Sequence, residues 1–420
     1  MKRALLGLLL LSPPLVQGQP LTPGQPLRRT QNMLPQTAAM REARFLFEEG
    51  RRLHRQGQLG RALDLYQKAL AQDPGRMEYL PFQGQVLNQL ARFEEAYPAF
   101  TSYLKLEPTD RPVRLGLLEC LIGLERWSEV DALAAELAAV MTGDDADYRH
   151  LVGLSWLRRQ QPEQALPHLL AASPARLEYR LNAVVALLLL GRTAEAEQQL
   201  QPEPTPANPH WKLLQGVVEL RSGREQAAEA LWREVDLPEA TLNLATSLAQ
   251  RGHDLEARTL VARLLDRNSQ HPEARLLYAR LLNRQSRFEE ALNLLAPLAP
   301  SAYREELRGW ALLGSGRADE ALQALEQARS LGASGAALEH NLALAYAQLK
   351  QWEAAGQHLQ QALSLQPERA DLYYLQGKLR EQQQQIPQAI QAYQRYLELL
   401  PQAPEAELLR AHLKKLKSST

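Results

Sequence analysis

The sequence predicts an all-α fold, in which about eleven helix–turn–helix repeats follow one another and a C-terminal helix caps the last of them. Three observations support this prediction: a 34-residue recurrence, a small residue at one fixed place in nearly every copy, and glycines five residues before it. The recurrence is clearest from Ala336 to Pro401, where Ala355 precedes Ala389, and Pro367 precedes Pro401, by 34 residues. Such self-similarity indicates an array in which each unit packs against its neighbours.

The small residue supplies a common numbering for the repeats. We call it position 20, on the second helix (helix B), where only a small side chain fits against the first helix (helix A). The series, at intervals of 29 to 35 residues, is Ala62, Ala96, Val130, Ala165, Ala196, Ala228, Ala257, Ala291, Ala321, Ala355 and Ala389. Glycine at position 15 is expected to end helix A, and it occurs at Gly57, Gly191, Gly223, Gly252 and Gly316. Repeat three is the weakest copy, because Leu118 replaces the small residue of helix A and Val130 replaces the alanine.

The chain ahead of the repeats has two parts. Lys2 and Arg3, the apolar run from Ala4 to Leu11 and the small residues up to Gly18 predict a secretory signal peptide over residues 1–18. The apolar run is too short to span a bilayer, so no transmembrane segment is expected after cleavage. Residues 19–42 are rich in Pro and Gln and lack apolar periodicity, which predicts a disordered leader.

The remainder divides around a proline-rich stretch. Repeats one to five are predicted over residues 43–200 and repeats six to eleven over residues 209–403. Between them, residues 201–208 form a Pro-rich insertion that cannot continue a helix. Residues 404–420 predict a capping helix and tail, whose apolar face is expected to contain Leu408, Leu409, Leu413 and Leu416. The acidic pair Asp144 and Asp145 is interpreted as an N-terminal cap for repeat four.

Composition and motifs argue against several classes of function. Lys+Arg and Asp+Glu both total 48, so no excess of positive charge points to nucleic acid. Cys120 is the only cysteine, which excludes a cysteine-rich metal site, and its leucine-rich surroundings predict a buried, inert thiol. The nine histidines are scattered and each is expected on the solvated surface. Phosphate-loop, zinc-helix and nucleophile-elbow motifs are absent, so we expect no cofactor, no metal and no enzyme activity.

These residues resemble the tetratricopeptide repeat family over residues 43–403. The resemblance implies a right-handed superhelix in which the helix-A faces line a concave groove that binds a protein or peptide partner. It does not identify that partner, because members of the family serve many processes.

Asparagines recur in the expected groove. Asn182, Asn243 and Asn341 all occupy position 6 of helix A. An amide there can both donate hydrogen bonds to, and accept them from, an extended peptide backbone, as the family often does. The alternative is that asparagine is simply tolerated at an exposed helical site.

An aliphatic strip is expected beside these asparagines. Positions 9 and 12 of repeats four, five and six are, in order, Leu154, Leu157, Val185, Leu188, Val217 and Leu220. Two interpretations of this strip remain open: it receives an apolar segment of a partner, or tight superhelical winding closes it.

The sequence therefore predicts an exported, non-enzymatic scaffold that mediates protein–protein interaction in a cell-envelope assembly or export process. The periplasm is the expected location, with secretion as the alternative. A second hypothesis is a periplasmic, chaperone-like binder of extended client segments, which would use the strip from Leu154 to Leu220.

Overall fold

The structure is a computed structural model that describes residues 37–140 and 145–418. Within these residues the fold is all-α, with twenty-three α-helices, a short 3-10 helix at Met77–Tyr79 and no strand. The predicted signal peptide, almost all of the predicted leader and Asp144 lie outside the described residues.

The chain divides into two compact units, Met1–Ala240 and Thr241–Thr420. The helices of the first unit are α1 (Ala38–Arg55), α2 (Leu59–Gln72), α3 (Leu80–Gln89), α4 (Phe93–Leu104), α5 (Arg111–Gly123), α6 (Trp127–Val140), α7 (Ala146–Arg158), α8 (Pro162–Ala172), α9 (Leu177–Leu189), α10 (Thr193–Gln199), α11 (Pro209–Arg221) and α12 (Glu225–Arg233). The boundary between the units falls within α13 (Pro238–Gln250). The helices of the second unit continue with α14 (Asp254–Arg267), α15 (Pro272–Arg284), α16 (Phe288–Leu295), α17 (Ala302–Gly314), α18 (Ala318–Ser330), α19 (Ala336–Gln348), α20 (Trp352–Leu365), α21 (Ala370–Gln382), α22 (Ile386–Leu399) and α23 (Ala406–Ser418).

The first twenty-two of these helices form eleven consecutive pairs, from α1–α2 to α21–α22, in the described part of the chain. Each pair contains one member of the predicted position-20 series on its second helix. The predicted count and order of helix–turn–helix repeats are therefore confirmed. The handedness of the superhelix stays a prediction from the family resemblance.

One backbone conformation ends every helix A. The residue at position 15 has a positive φ in all eleven repeats, between 56° and 84°. Five of these residues are the predicted glycines, which adopt this conformation without steric cost. The other six are Ala91, Glu125, Gln160, Ser286, Lys350 and Gln384. Their φ angles show that the turn is set by the packing of the two helices and that glycine is favoured there but not required.

Position 20 is buried in every repeat. All ten alanines of the series are 0% exposed, and Val130 is 1% exposed. Position 8 of helix A is also small in most repeats, because it faces a large side chain at position 24. A Cβ added to Gly216 would lie 2.3 Å from Nε1 of Trp232, and one added to Gly377 would lie 2.3 Å from Cε1 of Tyr393.

Repeat three reverses this size relation. Its position 8 is Leu118, which is fully buried, and its position 24 is the small Ala134. The repeat that looks most degenerate in sequence therefore keeps a large and a small residue at these two positions, in exchanged order.

Neighbouring repeats are connected by side-chain donors at position 13. Arg221 Nη1 donates to the carbonyl of Leu188 at 2.6 Å, and Arg284 Nη1 donates to that of Ala249 at 2.7 Å. Gln348 Nε2 donates to the carbonyl of Leu313 at 3.2 Å. Each acceptor is at position 12 of the preceding repeat, where the last carbonyls of a helix have no partner within the helix. A positive donor there is also favoured by the helix dipole.

Arginine recurs at the start of helix B as well. In four repeats the arginine at position 16 donates from Nε and Nη2 to the two carboxylate oxygens of a glutamate at position 19, at 2.6–2.8 Å. The pairs are Arg92–Glu95, Arg192–Glu195, Arg287–Glu290 and Arg317–Glu320. These pairs are exposed, so each contributes at most about 1 kcal/mol to stability.

The predicted Pro-rich insertion is irregular between α10 and α11. Trp211 Nε1 donates to the carbonyl of Leu200 at 3.0 Å, which fixes the segment at its first end. Asn208 caps α11 by accepting from the backbone nitrogens of His210 and Trp211 at 2.9 and 3.0 Å. The boundary between the two compact units lies further along the chain, in α13.

The capping helix α23 packs on repeat eleven as predicted, with one exception. Leu409 and Leu413 are buried in a cluster that contains Tyr393 and Tyr396, and Leu416 packs against it. Leu408 was expected on the same face, but it is 76% exposed. Leu408 and Leu409 are successive residues of a helix, so their side chains point in different directions, and that of Leu408 points away from the cluster.

Candidate functional site

The predicted aliphatic strip lies mostly inside the first unit. Four of its six side chains are at most 5% exposed: Leu154, Leu157, Leu188 and Val217. Val185 and Leu220 are partly exposed. Of the two interpretations left open for this strip, the burial of these four residues favours the one in which winding closes it. Their periodicity reflects packing of helix A against adjacent helices.

Asn182 has a buried partner of its own. Its Nδ2 lies 2.9 Å from Nε2 of His150, and Asn182 is 5% exposed. The amide donates to the ring nitrogen, which requires His150 to be neutral with its proton on Nδ1. Burial, and secondarily the charge of Arg176, lower the pKa of His150 to about 3. The amide nitrogen expected to hold a peptide is thus used within the protein.

The surroundings of His150 form a polar network between repeats four and five. The imidazole stacks on the ring of Tyr179, with centroids 3.8 Å apart. The Tyr179 hydroxyl donates to Asp147 at 2.5 Å, and Arg176 pairs with Asp147 at 3.2 Å. His150 is 3% exposed, so the expectation of a solvated surface is wrong for this histidine. It is also wrong for His54, which is 6% exposed and bonds to Gln89 at 3.0 Å.

The other two asparagines differ from Asn182. Asn243 is 3% exposed, and its side-chain oxygen is buried without a hydrogen-bond partner among the described residues. Asn341 is half-buried. Asn182 and Asn243 are therefore not exposed helical positions, contrary to the alternative interpretation. Peptide binding by Asn243 and Asn341 stays a prediction.

A further carboxylate, which is not among the predicted site residues, lies in the first unit. Glu119 occupies position 9 of repeat three and is half-buried. Asn88 Nδ2 donates to its Oε2 at 3.3 Å and to the carbonyl of Gly116 at 2.8 Å. Burial raises the pKa of Glu119 to about 7, although the bond from Asn88 acts in the opposite direction. The signal in the sequence is a single glutamate among apolar helix-A residues.

A cavity of about 660 Å³ lies in the second unit, between α19, α21 and the capping helix α23. This volume is within the range of sites that bind ligands. Its apolar lining includes Leu344, Trp352, Tyr374, Leu375 and Leu408. Leu344 and Leu375 occupy positions 9 and 6 of helix A, so the array does present a recess on helix-A surfaces, but at its C-terminal end.

Charged and polar groups also line the cavity. The cavity is bordered by Glu381, Glu405, Lys378 and His412. Glu381 Oε2 accepts from the Tyr393 hydroxyl and lies near His412 Nε2, both at 3.0 Å. This site could not be predicted from the repeat pattern, because α23 forms one of its walls and a helix that follows the last repeat has no place in the repeat numbering.

Other features concern chemistry and membranes. No group of three His, Cys, Asp or Glu side chains that could hold a metal ion occurs among residues 37–140 and 145–418. In those same ranges, each helix is too short or too polar to cross a bilayer. Asp145 caps α7 by accepting from the backbone nitrogen of Tyr148 at 3.1 Å, as predicted. Cys120 is buried as predicted; its thiol donates to the carbonyl of Phe93 at 3.2 Å, and burial raises its pKa to about 12.

Comparison with solved structures finds similarity at low identity. The APC/C hetero-tetramer Cut9–Hcn1 is 15% identical, with 90% of this chain and 84% of that chain covered and a TM-score of 0.49. Yeast Tom70 is 12% identical, with 90% and 96% covered and a TM-score of 0.37. A thermophilic TPR protein of Thermus thermophilus is 24% identical, with 42% and 96% covered and a TM-score of 0.36. No curated protein matches the sequence.

Comparison with protein families matches the tetratricopeptide repeat at residues 43–76, 248–314, 307–367 and 340–404. The first match begins in α1 and ends just after α2, and the others extend from α13 to the residues just after α22. Each matched region therefore lies within the array of observed helix pairs. Residues 43–76 and 248–404 of this chain are therefore similar to tetratricopeptide repeats.

Proposed function

We propose that this protein is an exported, non-enzymatic scaffold that holds a protein partner in a cell-envelope assembly or export process. Tetratricopeptide repeats are typical of protein–protein interaction, which supports the general role. The observation that carries the proposal is the cavity between α19, α21 and α23, because it gives a partner an apolar surface bordered by charge.

The location in the envelope is supported by the N-terminal sequence. Lys2, Arg3 and the apolar run from Ala4 to Leu11 have the pattern of a signal peptide. The periplasm is the compartment that we propose, with release from the cell as the alternative.

The chaperone-like role depended on an exposed strip from Leu154 to Leu220. Burial of Leu154, Leu157, Leu188 and Val217 leaves that role without the apolar surface it needs. A scaffold with a specific partner at the C-terminal cavity is therefore the function that we propose.

Site-specific photo-crosslinking tests the scaffold role. A photoreactive amino acid at Gln382, an exposed residue of the cavity, should crosslink one partner protein in intact cells. The same amino acid at Gln361, an exposed residue of α20 that does not line the cavity, serves as the matched control. Equal crosslinking from both sites, or none from Gln382, would argue against a partner at this surface.

Export is tested separately on the same cells. We expect mature protein in the envelope fraction to begin at Gln19 or within a few residues of it. Envelope material that retains Met1 would contradict the proposed cleavage.

A further inference from the structure

The apolar part of the C-terminal cavity is open at Leu408. This side chain is 76% exposed on a helix whose neighbouring Leu409 is 6% exposed. Leu408, Leu344 and Tyr374 all line the same cavity. A leucine exposed beside an apolar recess is more favourable when another apolar side chain covers it. The occupant should therefore contribute a large apolar side chain.

The charged border indicates what accompanies that side chain. Two carboxylates, Glu381 and Glu405, line the cavity together with one ammonium group, that of Lys378. Lys378 Nζ is placed over the ring of Tyr374, 4.6 Å from its centroid. The carboxylates therefore exceed the lysine in number, and the lysine already has a partner.

Both carboxylates can accept further hydrogen bonds. Glu381 is bonded to the Tyr393 hydroxyl and to His412, and Glu405 Oε1 accepts from the Tyr396 hydroxyl. That bond is the main reason why the pKa of Glu405 is lowered, so this carboxylate is ionised at neutral pH. A carboxylate has about four lone-pair sites, and charge-assisted bonds from lysine or arginine are the strongest it accepts.

We propose that the C-terminal cavity binds a linear segment of a partner protein in which a large apolar side chain lies next to a lysine or arginine. The apolar side chain covers Leu408 and contacts Leu344 and Tyr374, while the cation bonds to Glu405 and Glu381. This inference rests on the proposed scaffold function and names the chemistry of the segment that the scaffold holds.

Selection from a phage-displayed library of random dodecapeptides on the purified full-length protein tests the inference. We expect enrichment of peptides with an aliphatic or aromatic residue beside Lys or Arg. Synthetic copies of an enriched peptide should bind about tenfold more weakly when its cation is replaced by glutamate, or its apolar residue by serine.

Protein variants locate the binding. Leu408→Glu should weaken the enriched peptide about tenfold or more, and Glu405→Gln should weaken it and reduce its dependence on salt. Leu365→Glu is the matched control, because Leu365 is another exposed leucine of the same unit, is 57% exposed and lies outside the cavity. It should leave binding unchanged. Unaltered circular dichroism spectra establish that the variants fold.

Several outcomes would overturn the inference. If enriched peptides bind Leu408→Glu normally, or if acidic peptides are enriched, the cavity assignment or the chemical class is wrong while the scaffold function stands. A homodimer that Leu408→Glu dissociates would assign the cavity to a second copy of this chain. Absence of enrichment despite crosslinking from Gln382 would exclude a linear segment, and absence of both would also remove the proposed function.

Discussion

At the scale of single residues, position 8 limits how closely the two helices of a repeat approach. Gly216 is the sharpest case, because its missing Cβ leaves space for the indole of Trp232. That indole is 1% exposed, and its Nε1 donates to the carbonyl of Leu213 at 3.1 Å. A side chain at position 216 would therefore disturb both the packing and a buried hydrogen bond.

We predict that Gly216→Ala destabilises the protein by about 2–4 kcal/mol, because overpacking and loss of the indole hydrogen bond act together. Chemical denaturation monitored by tryptophan fluorescence measures the change. Gly356→Ala is the matched control, since Gly356 lies within α20 and an added Cβ there meets no atom within 4 Å. It should stabilise by about 0.5–1 kcal/mol through helix propensity. Equal effects of the two substitutions would contradict the packing of position 8.

Glu119 gives a second prediction at this scale, in the pH dependence of stability. Its folded pKa of about 7 lies above the ordinary glutamate value of 4.5, so the folded state retains a proton that the unfolded state has lost. The contribution of Glu119 to the free energy of unfolding is therefore fully present below pH 4.5, and it is lost progressively as the pH rises towards 7. Removal of the ionisable group should relieve this loss.

We predict that Glu119→Gln stabilises the protein by about 1–2 kcal/mol at pH 8 and has little effect at pH 4.5. Glutamine keeps the acceptor for Asn88, so the hydrogen bond is retained in the variant. Urea denaturation at the two pH values provides the measurement. A stabilisation that is the same at both would exclude ionisation as its cause.

At the scale of the element, the left-handed residue at position 15 determines where helix A ends. In six repeats a residue other than glycine occupies this position, although a Cβ there costs about 1 kcal/mol. Lys350, with a φ of 62°, is an exposed example between α19 and α20.

We predict that Lys350→Gly raises stability by about 0.5–1 kcal/mol, because glycine adopts this φ without steric cost. Lys350→Ala removes the same side chain but keeps the Cβ, so it should give no comparable gain. Thermal melting of the two variants separates the effect of the backbone from the effect of the lysine charge. A gain in both would attribute the effect to charge.

The elements themselves could be predicted from the sequence because they depend on local, repeated constraints. A buried alanine at position 20, replaced by valine only in repeat three, and the end of helix A at position 15 recur from copy to copy, so every helix pair has its own signal. The exchange of sizes in repeat three, Leu118 with Ala134, is visible only when positions 8 and 24 are compared as a pair.

The candidate site was less predictable because it depends on contacts between copies. Whether Leu188 or Asn182 is exposed is decided by the adjacent repeats, and a 34-residue period does not contain that information. Asn182 and His150 are 32 residues apart and meet only after two repeats have packed. The C-terminal cavity further requires α23, which is not part of any repeat.

At the scale of the whole molecule, each repeat contacts only its neighbours, so a substitution in one repeat should destabilise the adjacent repeats before the distant ones. Ala291 is 0% exposed at position 20 of repeat eight, in a cluster with Leu307 and Ala311 of the next repeat. A larger side chain there should loosen the helices of these two repeats before more distant ones.

We predict that Ala291→Leu costs about 1–3 kcal/mol by overpacking and accelerates amide hydrogen exchange most strongly in α15 to α18. Hydrogen exchange with mass spectrometry resolves these segments from α1 to α8, which serve as the internal reference. An increase of equal size throughout the chain would show that the protein opens as one cooperative unit and would contradict nearest-neighbour coupling.

The hydrogen-bond donors at position 13 have a consequence for how repeats can be gained or lost in evolution. Arg221, Arg284 and Gln348 each bond to a backbone carbonyl, which every preceding copy possesses whatever its side chain. Recombination that deletes or duplicates one whole copy would place the next donor opposite an equivalent carbonyl. Loss of half a copy would leave the donor facing no acceptor. Natural variation in the length of this chain should therefore occur in steps of complete repeats.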